Sequence, residues 1–391
     1  MSVPIDRYQR WERVRDARLS TLPWLRSDVQ SGRPVRYVAD EILVSDAGAG
    51  IAHRTLNGLG HRASDVTEDE PHRGMRRFKA RGLDVAAAVR QMRGQLADGA
   101  VVGPNHVFLS TPYTHGGPYG PPMSATAPPS KLAPSADGPS SVRVVVLDTG
   151  VYLDSPLPAG CYSATAENVE TVLDGDNNGE LDSDVGHANF IAGVVVQSTD
   201  AAQVRIVKVL DSFGVCTEAD LAAAITGLAD VDVLNLSLGG FSVGDQPPAI
   251  LNAALSTFLA GGDRVVVAAA GNDGIHDRPF WPAAFAAGST PWASKVIAVA
   301  AHDGSAVCDW SNRGPWVTLV APGADVISTF VRHAPTFESG WAAWSGTSFA
   351  APKVVAAVAE RKAAAGSVVA AAEQVKSEAA QQQLGGFPSL R

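Results

Sequence analysis

Four short segments of this chain carry side chains able to cooperate in acyl transfer. Asp148-Thr149-Gly150 offers a carboxylate, Gly186-His187 an imidazole, Ala269-Ala270-Gly271-Asn272 a terminal amide, and Gly346-Thr347-Ser348-Phe349-Ala350-Ala351-Pro352 a hydroxyl among small residues. Attack by a serine on a carbonyl needs a nucleophile, an imidazole base, a carboxylate that orients the base, and donors for the oxyanion. Thr347 and Ser348 stand at the head of an Ala-rich run that reaches Ala365, so either hydroxyl could cap a helix there. The same place has unbonded backbone N–H groups and the positive end of the helix dipole, which favour a developing oxyanion. Taken alone, the segment supports both a cap and a nucleophile.

The positioning elements are legible as texture. Residues 142–147, 204–210, 231–238, 265–270 and 296–300 are short runs rich in Val, Ile and Leu. Continuous apolar runs of this length suit strands buried on both faces of a parallel sheet. Between them, residues 219–228 and 250–260 read as helices, and residues 188–196 continue as a helix from His187. The alternation predicts a three-layer α/β domain with its site at the carboxyl ends of the strands. Each of the four segments begins where a run ends or a helix starts.

Residues 111–141 are dense in Pro, Gly, Ser and Ala and read as a linker, dividing the chain into residues 1–110, 111–141 and 142–391. In the first part, residues 36–45, 62–66, 75–80 and 100–109 are strand candidates. Val85, Val89, Met92 and Leu96 form one apolar helical stripe, and residues 48–59 suit a second helix. The order βαββαβ predicts a small α+β domain of the ferredoxin-like kind. The Arg-rich stretch before it reads as helical or disordered.

From about residue 141 to 365 the chain resembles the subtilisin-like serine peptidases. Asp-Thr-Gly at Asp148 matches that family's aspartate motif. Gly186-His187 with Ala192-Gly193 matches the histidine motif, Ala269 to Asn272 the oxyanion-asparagine motif, and Gly346-Thr347-Ser348 with Ala350-Ala351-Pro352 the serine motif. Val209-Leu210-Asp211, Asn235-Leu236-Ser237-Leu238-Gly239, Trp281-Pro282-Ala283 and Ala321-Pro322-Gly323 echo connecting segments in order. The resemblance implies a subtilisin-like fold and a serine endopeptidase acting on peptide or protein substrates. It assigns Ser348 as nucleophile, His187 as base, Asp148 as its orienting carboxylate and Asn272 as oxyanion donor. Substrate backbone would lie along Ser237, Leu238 and Gly239 and along Ala269, Ala270 and Gly271. The family's small propeptides further imply that residues 36–109 are a propeptide-like domain, an intramolecular inhibitor of a zymogen, with an accessory domain unrelated to inhibition as the alternative. Ala188-Asn189-Phe190-Ile191 departs from the motif's usual Gly-Thr-His-Val, so altered packing is expected around that helix. The family's final helix is hard to place after Arg361.

Other chemistries fit less well. A single Asp-Thr-Gly lacks the second carboxylate of an aspartic peptidase. An α/β-hydrolase needs its acid and histidine after the serine, and neither Asp nor His follows Ser348. A catalytically silent protein of the same fold, acting as a binding module, is the remaining alternative. Asp174-Gly175-Asp176-Asn177-Asn178-Gly179 resembles the start of a calcium loop, but the twelfth position is Val185, so a solvated loop is expected and no metal or cofactor is assigned. Trp281, Trp344 and Phe349 are candidates to line a specificity pocket, with burial in the core as the alternative.

The totals set the class. The 391 residues are 46% hydrophobic and 18% charged, with a net charge of −9, which speaks against nucleic acid or an anionic membrane as partner. No apolar run reaches the roughly 18 residues of a membrane helix, and no secretory leader is visible. Cys161, Cys216 and Cys308 are odd in number and widely spaced, as expected of buried, reduced thiols. The expected location is cytoplasmic, with export by another route left open.

Overall fold

The computed structural model describes residues 17–30, 33–96, 100–110, 121–128, 132, 142–260 and 262–391. Seven parallel strands form the central sheet. Their order is Leu319–Pro322, Val296–His302, Val265–Ala269, Val233–Leu236, Val142–Asp148, Ala202–Lys208 and Tyr162–Ser163. Side chains alternate across it. Val144 and Val146 pack into one layer, with Phe190 and Val354, whereas Val145 and Leu147 pack into the other, with Leu221 and Leu255. The apolar runs are therefore continuous because both faces are covered. Helices His187–Ser198, Thr347–Ala365 and Val368–Ala380 lie on the first face, and Glu218–Thr226 and Ala249–Ala260 on the second. From Val142–Asp148 the chain builds outward on one side and then on the other, so the sheet's switch point lies beside Asp148.

The N-terminal sheet has the order Val102–Ser110, Arg33–Ser45, Met75–Ala80, Val66–His72, all antiparallel, with helices Ala49–Gly58 and Val85–Arg93 on one face. This is the ferredoxin-like arrangement. Ile42, Val44 and Phe78 face the domain's own helices, while Val35, Leu43 and Met75 face the two helices of the larger domain. Two details depart from expectation. Residues 63–65 form a 3-10 turn and the strand begins at Val66; its sequence, Val-Thr-Glu-Asp-Glu-Pro-His, is a mostly exposed edge held by Arg76–Glu68 and Arg77–Asp69 ion pairs. Leu25–Gln30 also adds an unforeseen strand beside Arg33–Ser45.

Most of the Arg-rich start and residues 111–120, 129–131 and 133–141 of the linker lie outside the described residues. The linker's middle is built into the larger domain: Met123–Ser124 pairs antiparallel with Trp341–Trp344, and Ala125 N–H donates to Trp341 O at 3.0 Å. After Arg361, Gly366 ends one helix in the left-handed conformation, and Ser367 caps the next, Val368–Ala380. The final helix is thus present. All three cysteines are buried free thiols, and burial pushes the Cys308 thiol up to about 12. No helix among the described residues is long and apolar enough to cross a membrane.

Candidate functional site

Asp148 is the last residue of its strand and is fully buried. Its Oδ1 accepts from Thr149 N–H at 2.8 Å and from His187 Nδ1 at 2.7 Å. A carboxylate can only accept there, so His187 carries its proton on Nδ1 and leaves the lone pair on Nε2. His187 is the first residue of its helix, entered through Gly186 at φ +77°; a Cβ on Gly186 would lie 2.7 Å from the Phe330 ring. Thr149 Oγ1 accepts from Ala188 N–H, tying the aspartate turn to the histidine helix. Among the described residues, His187 Nε2 has no hydrogen-bond partner.

The departure from the usual histidine motif is absorbed by packing. Asn189 bonds both backbone groups of Tyr152 at 2.9 Å. Phe190 packs against Phe349 in a tilted pair with centroids 4.4 Å apart and edge-on against Trp344 at 5.8 Å. These rings also wall the imidazole, with centroid distances to His187 of 5.5 Å for Phe349 and 5.7 Å for Trp344. Trp344 and Phe349 are therefore core beside the site rather than pocket lining, and Trp281 is likewise buried, against Phe285.

Ser348 is the second residue of helix Thr347–Ala365, and neither hydroxyl caps it; Gly346 holds that place without a side-chain bond. Thr347 instead accepts from Gly271 N–H and donates its hydroxyl to Asn272 Oδ1 at 2.9 Å, and its N–H reaches the same oxygen at 2.9 Å. With Oδ1 so engaged, the amide NH2 of Asn272 is turned away from Thr347. Ser348 Oγ donates to Ser237 O at 3.1 Å, and Ser237 Oγ donates back to Ser348 O at 2.9 Å. The structure thus gathers Asp148 with His187, and Ser348 with Ser237, Thr347 and Asn272. Ala269 and Ala270 are fully buried; Ala270 O accepts from Asn312, and both lie beneath the Asn272 turn.

Ser237 continues into Leu238–Gly239, and against this short strand lies the chain's own Val102–Ser110. Ser110 pairs with Leu238 and Leu109 with Gly239. On the other side Leu109, Phe108 and Val107 pair with Val215, Cys216 and Thr217, and Ser110 N–H donates to Gly214 O at 2.8 Å. Residues 107–110 therefore fill a groove two strands wide whose wall runs on to Ser237. Sequence reasoning missed residues 214–217, because a three-residue strand leaves no periodicity to read.

The Subtilase family model matches residues 140–383. The chain belongs to the subtilase family. It is 32% identical over 269 residues to the thermophilic serine proteinase of Bacillus sp. (strain AK1), covering 64% of this chain and 60% of that one. Over 229 residues it is 34% identical to the halolysin of Haloferax mediterranei, covering 56% of this chain and 40% of that one. It spans about half the length of such relatives. Among solved structures, the subtilisin-related fervidolysin of Fervidobacterium pennivorans, a keratinolytic enzyme, superposes with a TM-score of 0.59 over 95% of this chain and 64% of that one, at 18% identity, a likeness of fold.

Asp174, Asp176 and Asp182 bring carboxylate oxygens within 4.8 Å of one another, while residues 176–180 are exposed, so the subtilase's acidic loop is the solvated loop expected. Asp174 accepts from the N–H groups of Asn178 and Gly179. Burial, and then the charges of Asp176 and Asp174, raise the Asp182 carboxyl to about 6 against the bonds from Ser212 and Gly175.

Proposed function

We propose that this subtilase is a serine endopeptidase made as an autoinhibited zymogen, with Ser348 as nucleophile. The observation that carries the reading is residues 107–110, seated as an extended strand between Val215–Thr217 and Leu238–Gly239 and directed toward Ser237, whose carbonyl holds the Ser348 hydroxyl. A substrate would add by the same backbone pairing. Its carbonyl carbon takes the Ser348 oxygen as the hydroxyl proton passes to His187 Nε2; Asp148 keeps the imidazole in this tautomer and offsets its charge. The oxyanion is held by the Asn272 amide and the Ser348 N–H, at the positive end of a 19-residue helix. His187 then protonates the leaving amine, and water repeats the sequence on the acyl-enzyme.

Inhibition follows from the same pairing. The smaller domain is anchored by Phe108, which is fully buried, and by the buried pair His106 Nδ1–Glu218 Oε2 at 2.7 Å. Glu218 also accepts from Ile250 and Leu251 N–H, and Asn105 Oδ1 from Ala219 N–H, so both covering helices are bonded at their starts within this interface. The test is hydrolysis of an unfolded protein substrate. Wild type cleaves it and Ser348→Ala does not, and wild type alone clips itself between about residues 109 and 141. A wild-type chain that cleaves nothing, even with the linker cut by another protease, leaves the silent binding module as the function.

A further inference from the structure

In the groove, Ser110 is 3% exposed and its hydroxyl donates to Oδ1 of Asp184, a carboxylate with no exposed surface. The other oxygen of Asp184 accepts from Ser183 Oγ at 2.6 Å. Among the described residues, both oxygens are thus held by hydroxyls. The carboxylate is fixed in place by its backbone: Asp184 N–H donates to Ser212 O at 3.1 Å, and its carbonyl accepts from His187 N–H at 3.1 Å. It therefore stands three residues before the imidazole, on the wall of the groove nearest the reaction.

Gly214 makes the approach possible. A Cβ there would lie 2.1 Å from Ser110 Oγ and 2.6 Å from Asp184 Cγ, and φ is +73°. The space between strand and carboxylate is thus the depth of one short side chain. An apolar residue in Ser110's place would leave a buried carboxylate without its donor, and an acidic one would set two carboxylates together. Burial and the Asp184 charge raise the Asp211 carboxyl, while the Val215 and Phe213 N–H groups and the Arg18 cation lower it, so the wall carries a cation beside its carboxylates.

We infer that Asp184 is a specificity-determining residue, selecting a short hydroxyl side chain, serine above all, at the substrate position that pairs with Leu238. The inference rests on the endopeptidase reading and names part of its substrate class. Ser110 is the intramolecular example of the preferred residue, and Gly214 keeps the subsite open at its base.

The test uses peptides that copy residues 107–111, Val-Phe-Leu-Xaa-Thr, joined to a chromogenic anilide, with Xaa as Ser, Ala or Asp. They are assayed on the full chain after linker cleavage. The Ser peptide should exceed the Ala peptide roughly tenfold in kcat/KM, and the Asp peptide by more. In Asp184→Asn, whose amide oxygen still accepts from a hydroxyl but no longer repels a carboxylate, the Ser-to-Asp ratio should fall at least roughly tenfold. Ser183→Ala, which touches only the far oxygen, should keep the Ser-over-Asp preference. Equal rates on the three peptides, or an Asp184→Asn ratio equal to wild type, overturn the inference. Ser348 labelling by a fluorophosphonate is run alongside: labelled enzyme with flat selectivity removes this inference alone, whereas no labelling and no turnover remove the peptidase reading with it.

Discussion

Pro352 has no N–H to give to the carbonyl of Ser348 four residues earlier, so one helical hydrogen bond is missing at the site. Ser237 Oγ takes its place at 2.9 Å, and Ser348 returns the contact through its own hydroxyl. A proline that reads in sequence as a family signature is thus a reason for the Ser348 backbone to be tied to the groove wall. Asn272 is held as firmly, by two donors from Thr347 on one oxygen. That arrangement has a kinetic consequence. Asn272→Ala should lower kcat by roughly a hundredfold to a thousandfold with little change in KM, a magnitude taken from subtilisin rather than from this geometry. Steady-state kinetics check it; equal losses in affinity and none in kcat would mean that the amide binds substrate rather than the oxyanion.

Elements with a buried apolar signature were legible, and those without it were not. Val265–Ala269 has every residue fully buried, and its run of Val and Ala marks a central strand plainly. Val66–His72 and Leu25–Gln30 are mostly exposed edge strands, each paired with the strand next in sequence, and Val215–Thr217 is a short strand whose register comes from residues 107–109, more than a hundred residues earlier. The acidic loop at residues 174–179 lies largely in solvent, as its spacing suggested, whereas Asp182 beyond it folds inward against Ser212 and Gly175. Its carboxyl is raised from the unfolded value of 3.8 to about 6, so folding takes up a proton over that interval. The stability this contributes is full below about pH 4 and is lost as pH rises through 6. Asp182→Asn should therefore gain on wild type as pH rises from 5 to 8, by about 1–2 kcal/mol after solvent screening is allowed for. Denaturant midpoints at the two pH values measure this, and a constant difference between them would contradict it.

At the scale of the molecule, the two domains share one antiparallel sheet, because Val102–Ser110 runs from the ferredoxin-like fold directly into the groove. The four site segments and both folds were visible from residue types and spacing, whereas this continuity was not: nothing in Asn105-His106-Val107-Phe108 announces that it meets Glu218 or Cys216 more than a hundred residues away. Phe108 is fully buried against Leu238 and Cys216 in the second core layer. Phe108→Ala should weaken docking by about 3 kcal/mol and raise the rate of labelling by small serine-directed probes, leaving Asp148, His187 and Ser348 in place. A labelling rate equal to wild type would mean that the strand does not limit access.

The central claim is that Asp148, His187 and Ser348 act as one unit in a groove that the chain itself fills. Mass-spectrometric mapping of a fluorophosphonate adduct tests it most directly. The account predicts a single adduct on Ser348, faster in Phe108→Ala and absent in His187→Ala. An adduct on another serine, or one on Ser348 that forms equally well without His187, would contradict it.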